Sequence, residues 1–306
     1  MASSTESDPL PSQETTLIPL SVSQEGEPEP SSHRDCPICY HRLPIDAGEH
    51  VYHTCCGQVI CKGCVIGKLR TQLKEFQPQF KELGRIIEGT TPEEEQFRLI
   101  EKHGSNIYVC PYCRTPPPDD EQESLQRLYD RIEICNDRDY TIALNQLGSH
   151  YKTGQQGLPR NLTKAEELYK KAYDLDDPDA AWNLYFLYHE YYHDKKEKER
   201  KCLLRGEMLG NLECTQVLAK RAYCDSERAY CDSGYNMENF VRLCVKSVRL
   251  GGDTDDIDDL WWCYRENLLS KNAVATTLRA NQALKDEVTT ERRDFANRYE
   301  QFRDAS

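Results

Sequence analysis

The sequence predicts a small cysteine-stapled α+β module followed by an all-α helical-repeat solenoid, and three observations carry that prediction. Eight of the fifteen cysteines fall in four pairs between Cys36 and Cys113. Beyond about residue 121 the chain keeps helical periodicity almost without a break. Within that stretch one residue pattern occurs three times.

Composition sets the outer limits. A chain of 306 residues suggests two domains and leaves room for a sizeable core. A net charge of −13 and a pI of about 5.2 argue against nonspecific attraction to nucleic acid or an anionic membrane surface. No apolar run approaches the length of a membrane span. The opening Met1-Ala2-Ser3-Ser4-Thr5-Glu6 has neither the basic nor the apolar region of a secretory signal. The expectation is an intracellular, reducing location, cytoplasmic or nuclear, with no nucleic-acid and no membrane partner. There, fifteen cysteines point to metal binding and small core side chains rather than to disulfides.

Residues 1–33 contain no Lys or Arg and are rich in Ser, Thr, Pro and Glu. Such a segment buries too little apolar surface to offset its ordering entropy and reads as a disordered tail.

The module spans 34–118. It opens with Cys36-Pro37-Ile38-Cys39 and continues through Cys55-Cys56-Gly57-Gln58-Val59-Ile60-Cys61-Lys62-Gly63-Cys64. It closes with Cys110-Pro111-Tyr112-Cys113. Two residues between thiolates let one tight turn present both sulfurs to a single tetrahedral ion, the way structural zinc is held. After Cys64, the apolar Val65, Ile66, Leu69, Leu73, Phe76, Phe80 and Leu83 recur at helical spacing, interrupted by Pro78. Gly84, Gly89 and Pro92 break the pattern before a short helix from Pro92 to His103. Tyr108-Val109 reads as extended, and Pro116-Pro117-Pro118-Asp119-Asp120 as a stiff linker.

The helical region of 124–268 follows. Ser124 to Asn136 carries one apolar face of Leu125, Leu128, Ile132 and Cys135. Then Ala143-x3-Leu147-Gly148-x2-Tyr151 returns as Ala180-x3-Leu184-Tyr185-x2-Tyr188 and as Cys214-x3-Leu218-Ala219-x2-Ala222. Leu175-Asp176, Leu209-Gly210 and Leu250-Gly251 sit at equivalent ends. The spacing, about 34 to 41 residues, is that of stacked helix–turn–helix units. Each unit would leave a face that only its neighbour can bury. Ala222-Tyr223-Cys224-Asp225-Ser226 is duplicated as Ala229-Tyr230-Cys231-Asp232-Ser233, which reads as an extended connection between units. The remaining 269–306 reads as one charged helix from Lys271 onward, capping the stack or protruding from it.

The pattern from Cys36 to Cys113 resembles a RING finger. Ala143, Leu147-Gly148, Tyr151, Gly154, Gly157-Leu158-Pro159, Lys164-Ala165, Tyr169 and Lys171-Ala172 resemble a Sel1-like (tetratricopeptide-like) repeat. Together the two parts are similar to an expanded family of RING-plus-Sel1 proteins of unicellular eukaryotes. The fold class implied is a zinc-stapled RING-like module with a helical insertion, ahead of Sel1-like helical repeats.

The resemblance implies two zinc ions in a cross-brace. One would be held by Cys36, Cys39, Cys61 and Cys64, the other by Cys55, Cys56, Cys110 and Cys113. The departure is Gln58, which stands where the family usually has histidine, and an amide does not replace imidazole on zinc. Cys55 is the favoured substitute because all-thiolate structural sites are common; His53, spaced two residues before Cys56, is the alternative.

By the same resemblance the module docks a ubiquitin-conjugating enzyme through Ile38, Pro111 and Arg114, and the repeats recruit a protein substrate or partner. No side chain of such a module makes or breaks bonds, so no catalytic residue is assigned. The competing reading is a non-enzymatic zinc-finger and helical-repeat scaffold for protein–protein interaction. Two short motifs carry less. His189-Glu190-Tyr191-Tyr192-His193 matches the zinc-protease spacing but lies at the tail of a repeat helix, with no third ligand in view. Asp253-Thr254-Asp255-Asp256-Ile257-Asp258-Asp259 lacks the glycine and closing Glu of a calcium loop and reads as an acidic helix start.

Overall fold

The computed structural model describes residues 35–43, 47–76, 94, 97–98, 100–101, 108–134, 138–228, 235–288 and 290–305. The expected tail of 1–33, the continuation through Phe80 and Leu83, and the second copy of the duplicated pentapeptide lie outside the described residues. The first copy falls in a helix rather than in a connection.

A 3₁₀ turn (Ala47–Glu49) leads into strands β1 (His50–His53) and β2 (Gln58–Cys61), then helix α1 (Lys62–Phe76). After the last cysteine pair come α2 (Glu121–Ile134), α3 (Arg138–Thr153), α4 (Leu162–Tyr173), α5 (Pro178–Tyr191) and α6 (Lys196–Met208). The chain continues with α7 (Leu212–Arg228), α8 (Tyr235–Arg249), α9 (Thr254–Arg265), α10 (Lys271–Val288) and α11 (Glu291–Ala305). Among the described residues the fold is thus one two-stranded antiparallel sheet beside the cysteine pairs and a large helical region. None of these helices is long and apolar enough to cross a membrane. Of the short helix expected from Pro92 to His103, the described residues Glu94, Phe97, Arg98, Ile100 and Glu101 are helical.

Small residues set the helix approach. Ala143, Ala180 and Cys214, equivalent in the sequence pattern, are all fully buried. At Gly148 a Cβ atom would lie 2.6 Å from the Tyr169 ring, so only glycine lets α4 close on α3 there. From α3 to α9 each helix packs on the next, more extensively within the pairs α3–α4, α5–α6 and α7–α8 than between them.

The recurring Leu-Asp and Leu-Gly pairs are one C-terminal device. Asp176, Gly210 and Gly251 each take the left-handed conformation, with φ of 58°, 82° and 99°. In each case the next N–H reaches back five residues: Asp177 to the Ala172 carbonyl (3.3 Å), Asn211 to Gly206 (2.8 Å) and Gly252 to Ser247 (2.9 Å). That is the Schellman termination, which satisfies carbonyls left over at a helix end. Gly154 after α3 and Asn267 after α9 close their helices the same way.

The residue after each such turn begins the next helix and ties it backward. Asp177 caps α5 through the Ala180 N–H (2.9 Å) and accepts from Thr141 and Asn145 of α3. Asn211 caps the Cys214 N–H (2.8 Å) and donates to Asp179 of α5. Gln216 of α7 donates to Asp256 (2.7 Å), which forms a capping box with Asp253 at the start of α9. The acidic run from Asp253 is therefore a helix start, as its composition suggests.

Two buried carboxylates reinforce the packing. Burial alone would raise the Glu199 carboxyl, but Arg221 and Lys196 hold it below the usual range. Glu207 is treated likewise by Lys246 (2.7 Å) and Arg242 (3.0 Å).

The last segment differs from expectation. Instead of one charged helix over 269–306 there are two, α10 and α11. Thr290 starts the second: its Oγ1 accepts from the Arg293 N–H (3.2 Å) and its carbonyl from the Asp294 N–H (2.9 Å). Helix α10 packs on α8 and α9, while α11 returns to lie along α1. Leu69, Phe97, Ile100, Phe295 and Tyr299 form a small core of their own there.

Candidate metal centre

The first and last cysteine pairs fold into the same turn. The Tyr40 N–H donates to the Cys36 carbonyl (2.8 Å) and the Cys36 N–H to the His41 carbonyl (2.9 Å). The Arg114 N–H donates to Cys110 (2.9 Å) and the Cys110 N–H to Thr115 (2.9 Å). Tyr40 and Arg114, each directly after the second cysteine, share a left-handed φ of 56° and 63°. Proline at the second position of both turns, Pro37 and Pro111, has the φ that such a turn requires.

The other two pairs are set by the hairpin. His50 pairs with Cys61 and His53 with Gln58, so Cys55 and Cys56 occupy the turn and Cys61 ends β2. The His53 carbonyl accepts from the N–H groups of Cys56 (3.2 Å) and Gly57 (2.8 Å), and Gly57 takes a φ of 74°. This compact turn aims two adjacent cysteine side chains to one side. Cys64 follows on the first turn of α1.

Two sets of four result. The sulfurs of Cys36, Cys39, Cys61 and Cys64 lie within 4.8 Å of one another, and so do those of Cys55, Cys56, Cys110 and Cys113. The first and third pairs thus meet, as do the second and fourth, giving two interleaved tetrathiol clusters. Among the described residues these are the groups able to hold a metal ion.

The sulfur spacings discriminate between fates. Cys39 and Cys61 are 3.9 Å apart, Cys56 and Cys110 3.8 Å, and Cys55 and Cys113 3.4 Å. A disulfide needs about 2.05 Å, and all eight thiols are free. Tetrahedral zinc with bonds of about 2.3 Å separates its sulfurs by roughly 3.8 Å. Both sets fit that ion.

Within each set the thiols hold protons unequally. Hydrogen bonds from Cys61 and Cys64 drive the Cys36 thiol well below its ordinary value. The hydrogen bond from Cys55 brings Cys56 down to about 5. Cys55 and Cys64 are pushed up, chiefly by their hydrogen bonds with Cys56 and Cys36 respectively and by burial. A thiolate cradled by further thiols is an arrangement a divalent soft cation completes by displacing the remaining protons.

Cys55 and His53 stand in different surroundings. Cys55 belongs to the second set, whereas the His53 ring turns away to stack on Tyr108, with ring centroids 6.1 Å apart. The Tyr108 hydroxyl sits 3.3 Å from the His53 ring nitrogens. His53 is buried, which lowers its imidazole pKa, and it serves the site through its carbonyl. Gln58 opens β2 and belongs to neither set.

Ile38 and Pro111 are half-buried on their turns and Arg114 is exposed. The protease-like motif separates: α5 ends at Tyr191, His189 stacks on Tyr185 and reaches Glu199 (3.3 Å), and His193 lies in the following turn.

Three neighbours of the clusters carry no signal in the sequence. They are Tyr108 beside His53, Arg131 of α2 and Arg293 of α11. Arg131 donates to the carbonyls of Thr54 (2.8 Å) and Cys55. No protein-family model matches the chain, and no curated protein matches it.

Proposed function

We propose that this chain is a RING-type protein binding two zinc ions, which docks a ubiquitin-conjugating enzyme while Sel1-like repeats in the helical region recruit a protein substrate. The observation that carries the reading is the interleaving of the two tetrathiol sets. Each set joins pairs separated in sequence by a member of the other set, so two ions would cross-brace the turns into a single rigid body. Zinc supplies the staple that fixes those turns. The eight cysteines would hold it, and no side chain of the module takes part in bond making.

The chemistry proposed is transfer of ubiquitin from the thioester of the conjugating enzyme to a substrate lysine. The module contributes orientation, converting loosely associated reactants into one held geometry. Ile38 and Pro111 offer partly exposed apolar contacts on the two equivalent zinc turns, and Arg114 an exposed cation directly after the last ligand. Those features support a docking face shared by both turns.

One observation favours the competing scaffold reading: α11 lies along α1, so part of the module's surface is already covered from within. Autoubiquitination with a panel of conjugating enzymes separates the two. Wild-type protein should build chains with at least one enzyme, and Ile38→Ala and Arg114→Ala should reduce them by an order of magnitude or more, since about 1.4 kcal/mol of lost contact is tenfold. A protein that holds two zinc ions and builds chains with none of the enzymes is the scaffold.

A further inference from the structure

Beyond the thiols, a buried cation from the far end of the chain reaches the first metal centre. Arg293 lies in the first turn of α11 and is 3 % exposed. Its Nη2 donates to the Arg42 carbonyl at 2.7 Å, across 251 residues of sequence. Arg42 bridges to Asp35, so this carbonyl belongs to the return strand of the first cysteine turn.

The rest of α11 holds that contact in place. Glu300 pairs with Lys62, the residue directly after Cys61. The Arg70 guanidinium sits 4.4 Å over the Phe295 ring, and Phe97 packs edge-on against Tyr299. At the other cluster Arg131 plays a main-chain part, fixing the carbonyls of the Thr54-Cys55 turn.

The electrostatics give these contacts a purpose. A divalent ion on four thiolates leaves a net charge of about −2 at the centre. At the first set Cys36, Cys61 and Cys64 are buried, whereas Cys113 of the second set is exposed to water. A buried dianionic cluster requires donors to its sulfurs and a compensating cation. Conversely, a cation in the first turn of a helix opposes the helix dipole, a cost that an adjacent anion offsets. Each side supplies what the other lacks.

We propose that Arg293 is a positioning residue of the first metal centre, so that docking of α11 on the module and metal retention by Cys36, Cys39, Cys61 and Cys64 form one linked equilibrium. This rests on the two-zinc reading above. Linkage is reciprocal: the docked helix tightens metal binding, and bound metal holds the helix. The last helix then reports whether the first zinc is present, and loss of that zinc frees the α1 face that α11 covers.

The test loads the full chain with ¹¹³Cd²⁺ and follows the two cadmium resonances during competition with EDTA. Cys36→Ser and Cys113→Ser assign which resonance belongs to which set. Arg293→Met should weaken retention at the first centre by about 10- to 100-fold, the range for outer-shell partners of a metal, and leave the second unchanged. Arg293→Lys should recover part of the loss, and Arg131→Met should act on the second centre alone. Equal loss at both centres, or no loss at the first, overturns the proposal. In the wild-type chain, amides of 293–304 should exchange faster once EDTA has removed the metal, a readout that needs no variant. Exchange independent of metal also overturns it. Failure to observe two cadmium resonances at all removes the underlying two-metal reading, a result distinct from two resonances indifferent to Arg293.

Discussion

Cys55 and His53 divide the work of the second cluster between a sulfur and a carbonyl. Cys55→Ser should therefore abolish or severely weaken one of two metal sites. His53→Phe should retain both metals and cost only the Tyr108 hydroxyl contact, about 1 kcal/mol of stability. Metal content by mass spectrometry and a thermal melt check both. Loss of one metal in His53→Phe with retention in Cys55→Ser would reverse the assignment. The eight cysteines themselves were legible because zinc turns impose a spacing on adjacent residues. In the sequence Cys55 is favoured because all-thiolate sites are common and sulfur suits zinc, and it is the turn closed on the His53 carbonyl that makes two adjacent thiols usable. Arg293 and Arg131 were not legible. A charge that meets its target across 251 residues leaves no mark on the local pattern, and in sequence it resembles any solvated arginine.

At the scale of the element, the helical region is built from terminations as much as from apolar faces. The Leu-Asp and Leu-Gly echoes were visible in the sequence as repeated dipeptides, but their cause is backbone conformation: a left-handed residue that turns the chain into the next N-cap. Gly210 shows what that conformation requires. Gly210→Ala should destabilise the helical region by about 1–2 kcal/mol, the cost of a Cβ at positive φ, without changing metal content. Urea denaturation with unchanged slope checks it; a stability equal to wild type would mean the turn relaxes freely. The boundary between α10 and α11 is not legible in the sequence, because a charged, periodic run predicts helix and says little about where helix stops. Only the side chain of Thr290, accepting from the Arg293 N–H, marks the new start.

Over the whole molecule, first and last described segments meet. The chain leaves the cysteine module through α2, whose Arg131 stays on the second cluster's turn, and comes back through α11, whose Arg293 rests on the first. The helical region is therefore not a separate body trailing a zinc finger but part of the surroundings of both clusters. The cysteine pairs and the helical region are distinguishable in the sequence, since each has its own spacing. The return of α11 does not, because closure depends on the summed geometry of every intervening helix. Both interleaved tetrathiol sets are proposed to hold zinc. Zinc content together with X-ray absorption at the zinc edge tests this most directly. Two zinc ions per chain are expected, each with four sulfurs at about 2.3 Å and no nitrogen. One zinc or none, or a nitrogen in the shell, would contradict it.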